Sequence, residues 1–338
     1  MQGSAEGCPA AGCGVGRSGT WLALSVCGYQ SSMRALIAGA TGFVGRRLGP
    51  ALRSDGLEVR CLVRDSGSAP ARRLAAEGFE VVEADLTQEA DLRPAMEDVD
   101  VAYFLVHLIG RVADYSPLER RVAARFGAAA AANGVSQLVY LGGLGDEDGS
   151  IHLRSRRDVA MALRASGPPL TYFRAGMVVV AGSESYVLVR DIAERLPAIP
   201  AAGWMRTCTQ PIGSRDVIAY LRRAPFVPES IGREVQIGGP RRLTPLELID
   251  LMARALGRRP PRKMSIFGAT PNAVSAGAGA VTTGDRAIAS ELTFGLASDT
   301  VVTDPSGAAL FDVRPERLEI SLQRAIEEDE RLAEAAAA

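Results

Sequence analysis

Two histidines, two tryptophans and five cysteines are all that 338 residues hold of those types. The cysteines are Cys8, Cys13, Cys27, Cys61 and Cys208, so three fall in the first 27 residues. No Cys-x-x-Cys pair occurs, and no cysteine stands at zinc spacing from a histidine. Neither a disulfide framework nor a metal site is therefore expected. A reducing, cytoplasmic setting fits that usage. An excess of one charge is lacking too: 38 Lys and Arg stand against 39 Asp and Glu. A nucleic-acid binder ordinarily carries a basic excess, so no direct nucleic-acid contact is expected. The pairs Arg46-Arg47, Arg72-Arg73, Arg156-Arg157 and Arg222-Arg223 are scattered and read as solvated helix faces. No apolar run reaches the roughly 18 residues that a membrane span needs. The apolar stretch at 21–26 is too short for a secretory signal.

What is present is a large apolar fraction, 47% of the chain, enough to bury a substantial core. The first 32 residues are rich in Gly, Ser, Ala and Cys and carry no periodicity. They are expected to be a disordered extension, or translation starts at Met33. From there short apolar runs recur: 34–38, 57–63, 79–84, 99–106, 136–141 and around 170–180. Such runs suit strands buried on both faces. Helical patterns separate them, at 43–54 (with Pro50 inside), 69–78, 90–96, 117–132 and 156–166. Alternation of this kind predicts a doubly wound parallel sheet over 33–182, a Rossmann-type α/β domain. Past 182 the alternation weakens, and a smaller C-terminal α+β lobe is expected over 183–330, bordering a cleft with segments 186–190 and 210–216. There Thr244-Pro245-Leu246-Glu247 reads as a capped helix start, residues 235–237 as a strand, and 314–338 as a final helix. Residues 265–296 show almost no pattern.

The run Gly39-Ala40-Thr41-Gly42-Phe43-Val44-Gly45 follows a strand and opens a helix. In that context a Gly-x-x-Gly-x-x-Gly loop predicts dinucleotide binding. Gly39 turns the chain, Gly42 lets backbone approach the pyrophosphate, and Gly45 permits close packing. The first-turn N–H groups at Phe43 and Val44 face the phosphates. The second strand ends in Leu62-Val63-Arg64-Asp65. Arg64 stands where NAD binders place an acid, and a guanidinium suits a 2′-phosphate. NADP(H) is therefore expected ahead of NAD(H), with Asp65 the residue that counts against it. Asp85, at the end of the third strand, is either an adenine-side residue or a strand-end cap.

The loop, with Leu62-Val63-Arg64, Ala84-Asp85-Leu86, and the segments 102–107, 139–145, 210–216 and 237–240, resembles the atypical short-chain dehydrogenase/reductases, in particular their NmrA-like NAD(P)H-binding branch. The resemblance implies that Asp85, Leu86, Leu105, Val106 and His107 line the cofactor alongside the loop residues. It also implies a serine on the fifth strand and a Tyr-x-x-x-Lys on the next helix. Here Gly142-Gly143 occupies the serine region, and the nearest counterpart of the second motif is His152-Leu153-Arg154-Ser155-Arg156. If the helix begins early enough, His152 and Arg156 share a face. A histidine near its ordinary pKa passes protons at neutral pH; otherwise His152 lies in a loop and Arg156 is a cofactor-holding or solvated charge. His107 is either a strand-end polar residue or a second catalytic candidate, and Tyr140 reads as core. The resulting expectation is an NADPH-dependent reductase of a carbonyl, quinone or activated alkene acting on a small-molecule substrate. The alternative is a regulator or assembly factor that senses NADP(H) and binds a protein partner, with a nucleotide-sugar enzyme a more distant third.

Overall fold

The computed structural model describes residues 32–89, 91–109, 115–145, 151–201, 203–265, 279–295 and 298–337, together with 274 and 277. The expectation for residues 1–32 falls, save Ser32, outside the described residues, as does part of the patternless stretch.

Seven strands form one sheet: β1 (Arg34–Ala38), β2 (Glu58–Val63), β3 (Glu80–Glu83), β4 (Val101–Phe104), β5 (Gln137–Gly143), β6 (Leu170–Ala175) and β7 (Glu234–Ile237). Their order is β7-β6-β5-β4-β1-β2-β3, and each neighbouring pair is parallel. The doubly wound α/β sheet is thus as expected. Residues 177–180, read as flanking the sixth strand, instead give Val178–Val179, which pairs with Ile212–Gly213 outside the main sheet. The seventh strand comes from far along the chain, at 234–237.

Alternation along β1 divides the core. Ala35 and Ile37 face one layer with Leu48 and Leu52 of α1 (Gly45–Ser54), Leu74 of α2 (Ala69–Ala76) and Tyr220, while Leu36 and Ala38 face the other. That second layer holds Met96 of α3 (Arg93–Met96), Phe126 of α4 (Tyr115–Ala132) and Leu163 of α5 (Ile151–Ser166). A strand covered on both faces has no solvated side, which is why each sheet run reads as continuously apolar.

A third apolar cluster joins Tyr186 and Ile192 of α6 (Glu184–Arg195), Leu248 and Met252 of α8 (Pro245–Ala255), and Leu322 of the C-terminal helix Leu318–Ala337. Between α6 and α8 runs α7 (Ser214–Arg223), which packs on the first layer of the main sheet. The start of α8 is the expected capping box: the Glu247 N–H donates to Thr244 Oγ1 at 3.3 Å and the Thr244 N–H to Glu247 Oε2 at 2.7 Å. The helix Arg286–Gly295 lies in the stretch that read as patternless. Among the described residues no helix is long and apolar enough to cross a membrane.

The arginine pairs mostly do not behave as solvated faces. Arg47 reaches the Phe43 carbonyl and Glu328, Arg222 binds Asp55, and Arg223 donates to the carbonyls of Phe311 and Asp312. Their long stems cross apolar surface while the guanidinium finds a distant acceptor. Charge clusters in a sequence do not disclose that.

Candidate functional site

The chain runs β1-β2-β3 in one direction and then crosses to β4 on the other side of β1. In doubly wound sheets ligands bind at that reversal, outside the carboxyl ends of the strands. Those ends are Gly39 and Leu105. Gly39 has φ +89°, and a Cβ there would lie 2.7 Å from the Leu105 carbonyl oxygen, so only glycine fits. A Cβ on Gly45 would run into the Gly39 carbonyl and Ala40 Cα. Its smallness therefore serves the loop itself more than the sheet. Gly42 meets only the Gly39 carbonyl within its own turn, and Thr41, Gly42 and Phe43 are exposed along the rim. Val44, the N-cap of α1, makes no side-chain cap. Among the described residues the N–H groups of Phe43 and Val44 meet no acceptor. Unsatisfied donors at a helix N-terminus, above a cradle without Cβ atoms, fit a pyrophosphate.

On the adenosine side, Arg64 is exposed and makes no hydrogen bond or ion pair among the described residues. Asp65, the residue that counted against NADP, is committed to its own turn: its Oδ1 accepts the Gly67 N–H at 2.8 Å. Asp85 is a strand-end cap, accepting the Thr87 N–H at 2.9 Å and its hydroxyl at 2.7 Å. Leu86 is buried in the second layer. One residue escaped the sequence reading. Arg46 follows the last loop glycine, and its Nη2 is buried without a hydrogen bond, 3.7 Å from Glu328. Burial, with Arg47 and Arg73 nearby, lowers its pKa. An arginine directly after the third glycine is the only signal that pointed to it.

On the nicotinamide side, the Leu105 N–H bonds the Ala38 carbonyl at 2.9 Å, which seats Leu105 and Val106 against the glycine loop. The helix α5 starts at Ile151, five residues before the sequence reading, and this puts His152 and Arg156 on one face. Arg156 also reaches the ring nitrogens of His107, so the structure brings His107, His152 and Arg156 together. A nitrogen that accepts from a guanidinium belongs to a neutral imidazole. Accordingly burial first, and Arg156 and His152 next, hold the His107 pKa well below its ordinary value. Burial, then Arg156, pushes His152 down to about 3. The condition for proton transfer by His152 at neutral pH, a near-ordinary pKa, is not met.

The serine region is filled as well as vacant of serine. A Cβ on Gly142 would lie 2.8 Å from the Tyr172 hydroxyl and 3.2 Å from Tyr140 Cε1. Tyr140 is core, fully buried and stacked on Tyr172 at 5.4 Å. The two phenols take the space a serine side chain needs. Of the segments expected to border the cleft, Tyr186 is fully buried and Arg190 is paired with Asp191 and Asp329. Gln210 spans from the Gly239 carbonyl to the Val302 N–H at 2.7 and 3.0 Å, and Asp216 is buried beneath Glu316. These polar groups hold the second half of the chain together instead of facing a ligand.

The histidine environment sets an acid limit on stability. Unfolded, His152 protonates near 6.5; folded, only near 3. Between those values the unfolded chain binds more protons, so stability falls as pH drops from about 6.5 towards 3 and is unaffected by this group above 6.5. Denaturant melts at pH 7 and pH 5 are expected to show a smaller loss for His152→Asn than for the natural chain. Equal losses would remove the contribution.

Residues 39–191 match the sequence model of a family described as NAD(P)H-binding. This stretch is an NAD(P)H-binding domain. A photosystem II assembly factor, Ycf39 from Trieres chinensis, is 26% identical over 232 residues, 67% of this chain and 70% of that protein. The fold is shared with triphenylmethane reductase of Citrobacter sp. complexed with NADP(H), at 17% identity, TM-score 0.68, covering 86% of this chain and 99% of that one. It is shared also with an NADPH-dependent quinone oxidoreductase of Escherichia coli complexed with NADPH, at 20% identity, TM-score 0.67, covering 87% and 100%. The matched residues take in the glycine loop, Arg64, the Leu105–His107 corner and the α5 helix.

Proposed function

We propose that this protein is an NADPH-dependent reductase of a quinone or a similar conjugated carbonyl, within the NmrA-like branch, acting in a reducing compartment, the cytoplasm. The observation that carries this reading is Arg156, a cation fixed by His107 beside two histidines that cannot supply a proton at neutral pH. Bound NADPH supplies a hydride. Arg64 holds the 2′-phosphate and the glycine loop the pyrophosphate. Arg156 stabilises the negative charge that develops on the acceptor oxygen, a role that needs a preorganised donor and no proton transfer. Water then protonates that oxygen. Such acceptors tolerate a site without Ser and Tyr, because their reduced anion is stabilised by conjugation.

The Ycf39 relative and the missing proton donor favour a second reading, an NADP(H)-sensing regulator or assembly factor. One measurement separates the two. Purified protein is titrated with NADPH and NADH, and loss of nicotinamide absorbance is followed with quinones, enones and aldehydes. The reductase reading expects turnover with quinones and little with simple aldehydes. Tight NADPH binding with no turnover on any acceptor selects the second reading.

A further inference from the structure

Glu119 lies early in α4, in its second turn, and is 3% exposed. Its surroundings differ from those of Asp191, another buried carboxylate. Asp191 is paired with Arg190. Among the described residues no cation lies within ion-pair distance of Glu119. Burying an unpaired carboxylate costs several kcal/mol unless strong hydrogen bonds offset it. Glu119 has two such bonds. Its Oε1 accepts the Leu108 N–H at 2.6 Å, and its Oε2 accepts the Ser155 hydroxyl. Both donors are significant by position. Leu108 follows His107 in the chain. Ser155, itself 1% exposed, sits between His152 and Arg156 on α5. One carboxylate thus ties the corner after β4 to the first turns of α5, the two elements that meet in the His107–Arg156 contact.

We propose that Glu119 is a positioning residue of this site, fixing Arg156 and His107 against each other from behind through Leu108 and Ser155. As a statement about catalysis it rests on the reductase reading given above. An apolar side chain that kept only the shape would leave the Leu108 N–H buried and unmatched. No apolar substitute can brace both segments.

The test uses the full chain with Glu119→Ala, Glu119→Gln and Ser155→Ala. Three quantities are read: kcat with a quinone, Kd for NADPH, and the ¹⁵N shifts of the His107 ring. For Glu119→Ala, kcat is expected to fall about tenfold or more, the order of loss that a small misplacement of a reacting group causes. The Kd for NADPH stays close to that of the natural chain, and the ring shifts move. Glu119→Gln recovers most of the rate, because its amide oxygen accepts from Leu108 and its NH₂ donates to the Ser155 oxygen. A folded Glu119→Ala with natural kcat and unmoved ring shifts overturns the proposal. So does a Gln variant as impaired as the Ala variant. If Glu119→Ala does not fold, Ser155→Ala decides: unmoved ring shifts overturn the brace. If the natural protein turns over no acceptor, the reductase reading fails by itself. The ring shifts still decide whether Glu119 sets the His107–Arg156 geometry.

Discussion

Arg156→Ala is expected to lower kcat for a quinone about 10²–10³-fold, the loss typical of removing one preorganised donor from a developing oxyanion. The Kd for NADPH should change little, because in the proposed reading the phosphates fall to the glycine loop and Arg64. The size of the effect follows from what surrounds the guanidinium. It is half-buried, held by the His107 ring, and flanked by histidines that stay neutral. Arg156→Lys tests the same point more finely. A lysine keeps the charge and loses the planar fork, so it should recover part of the rate and none of the His107 contact. Steady-state kinetics with separate kcat and KM decide it. A drop in NADPH affinity with unchanged kcat would move Arg156 from the acceptor to the cofactor.

Arg64→Ala is expected to weaken NADPH binding by about tenfold to a hundredfold, the range for charge-assisted hydrogen bonds. NADH binding should change by less than about threefold, since no such bond is lost there. Arg64 is suited to this because it is exposed and uncommitted, whereas Asp65 is folded onto its own turn. Arg46 places a second charge near the loop, and Glu328 already partly engages it. Titration of both cofactors against both proteins gives the ratio. Equal weakening of NADH and NADPH would assign Arg64 to the pyrophosphate or to the fold.

Much of this was legible in the sequence. The glycine loop, the seven sheet strands and the α8 cap announce themselves through short-range patterns: buried apolar runs, a strand-to-helix glycine series, and Thr-Pro-x-Glu; that 235–237 joins the main sheet does not. The α5 start was not legible. Residues 151–155 include His152, Arg154 and Ser155, which give no helical stripe, and they become helix by packing against α4. Nor was the role of Glu119 visible, since one acid among the arginines and alanines of an amphipathic helix looks like part of a solvated face. Its burial depends on Leu108 and Ser155, distant in sequence. The same holds for Gly142. The sequence shows that serine is missing there. Only the fold shows that Tyr172 has taken its place.

The seventh strand carries a consequence for how the chain reaches this state during synthesis. β6 ends at Ala175, but its outer neighbour begins at Glu234. Until that later segment leaves the ribosome, β6 is an open edge with unpaired N–H and C=O groups, the kind of edge that recruits strands from other chains. Val235 and Ile237 also belong to the apolar layer that α1 and α2 cover. The nucleotide-binding half therefore cannot finish folding as it emerges. Its edge must be kept from neighbouring chains for nearly sixty further residues of translation, roughly 3–12 s at ordinary ribosomal speed.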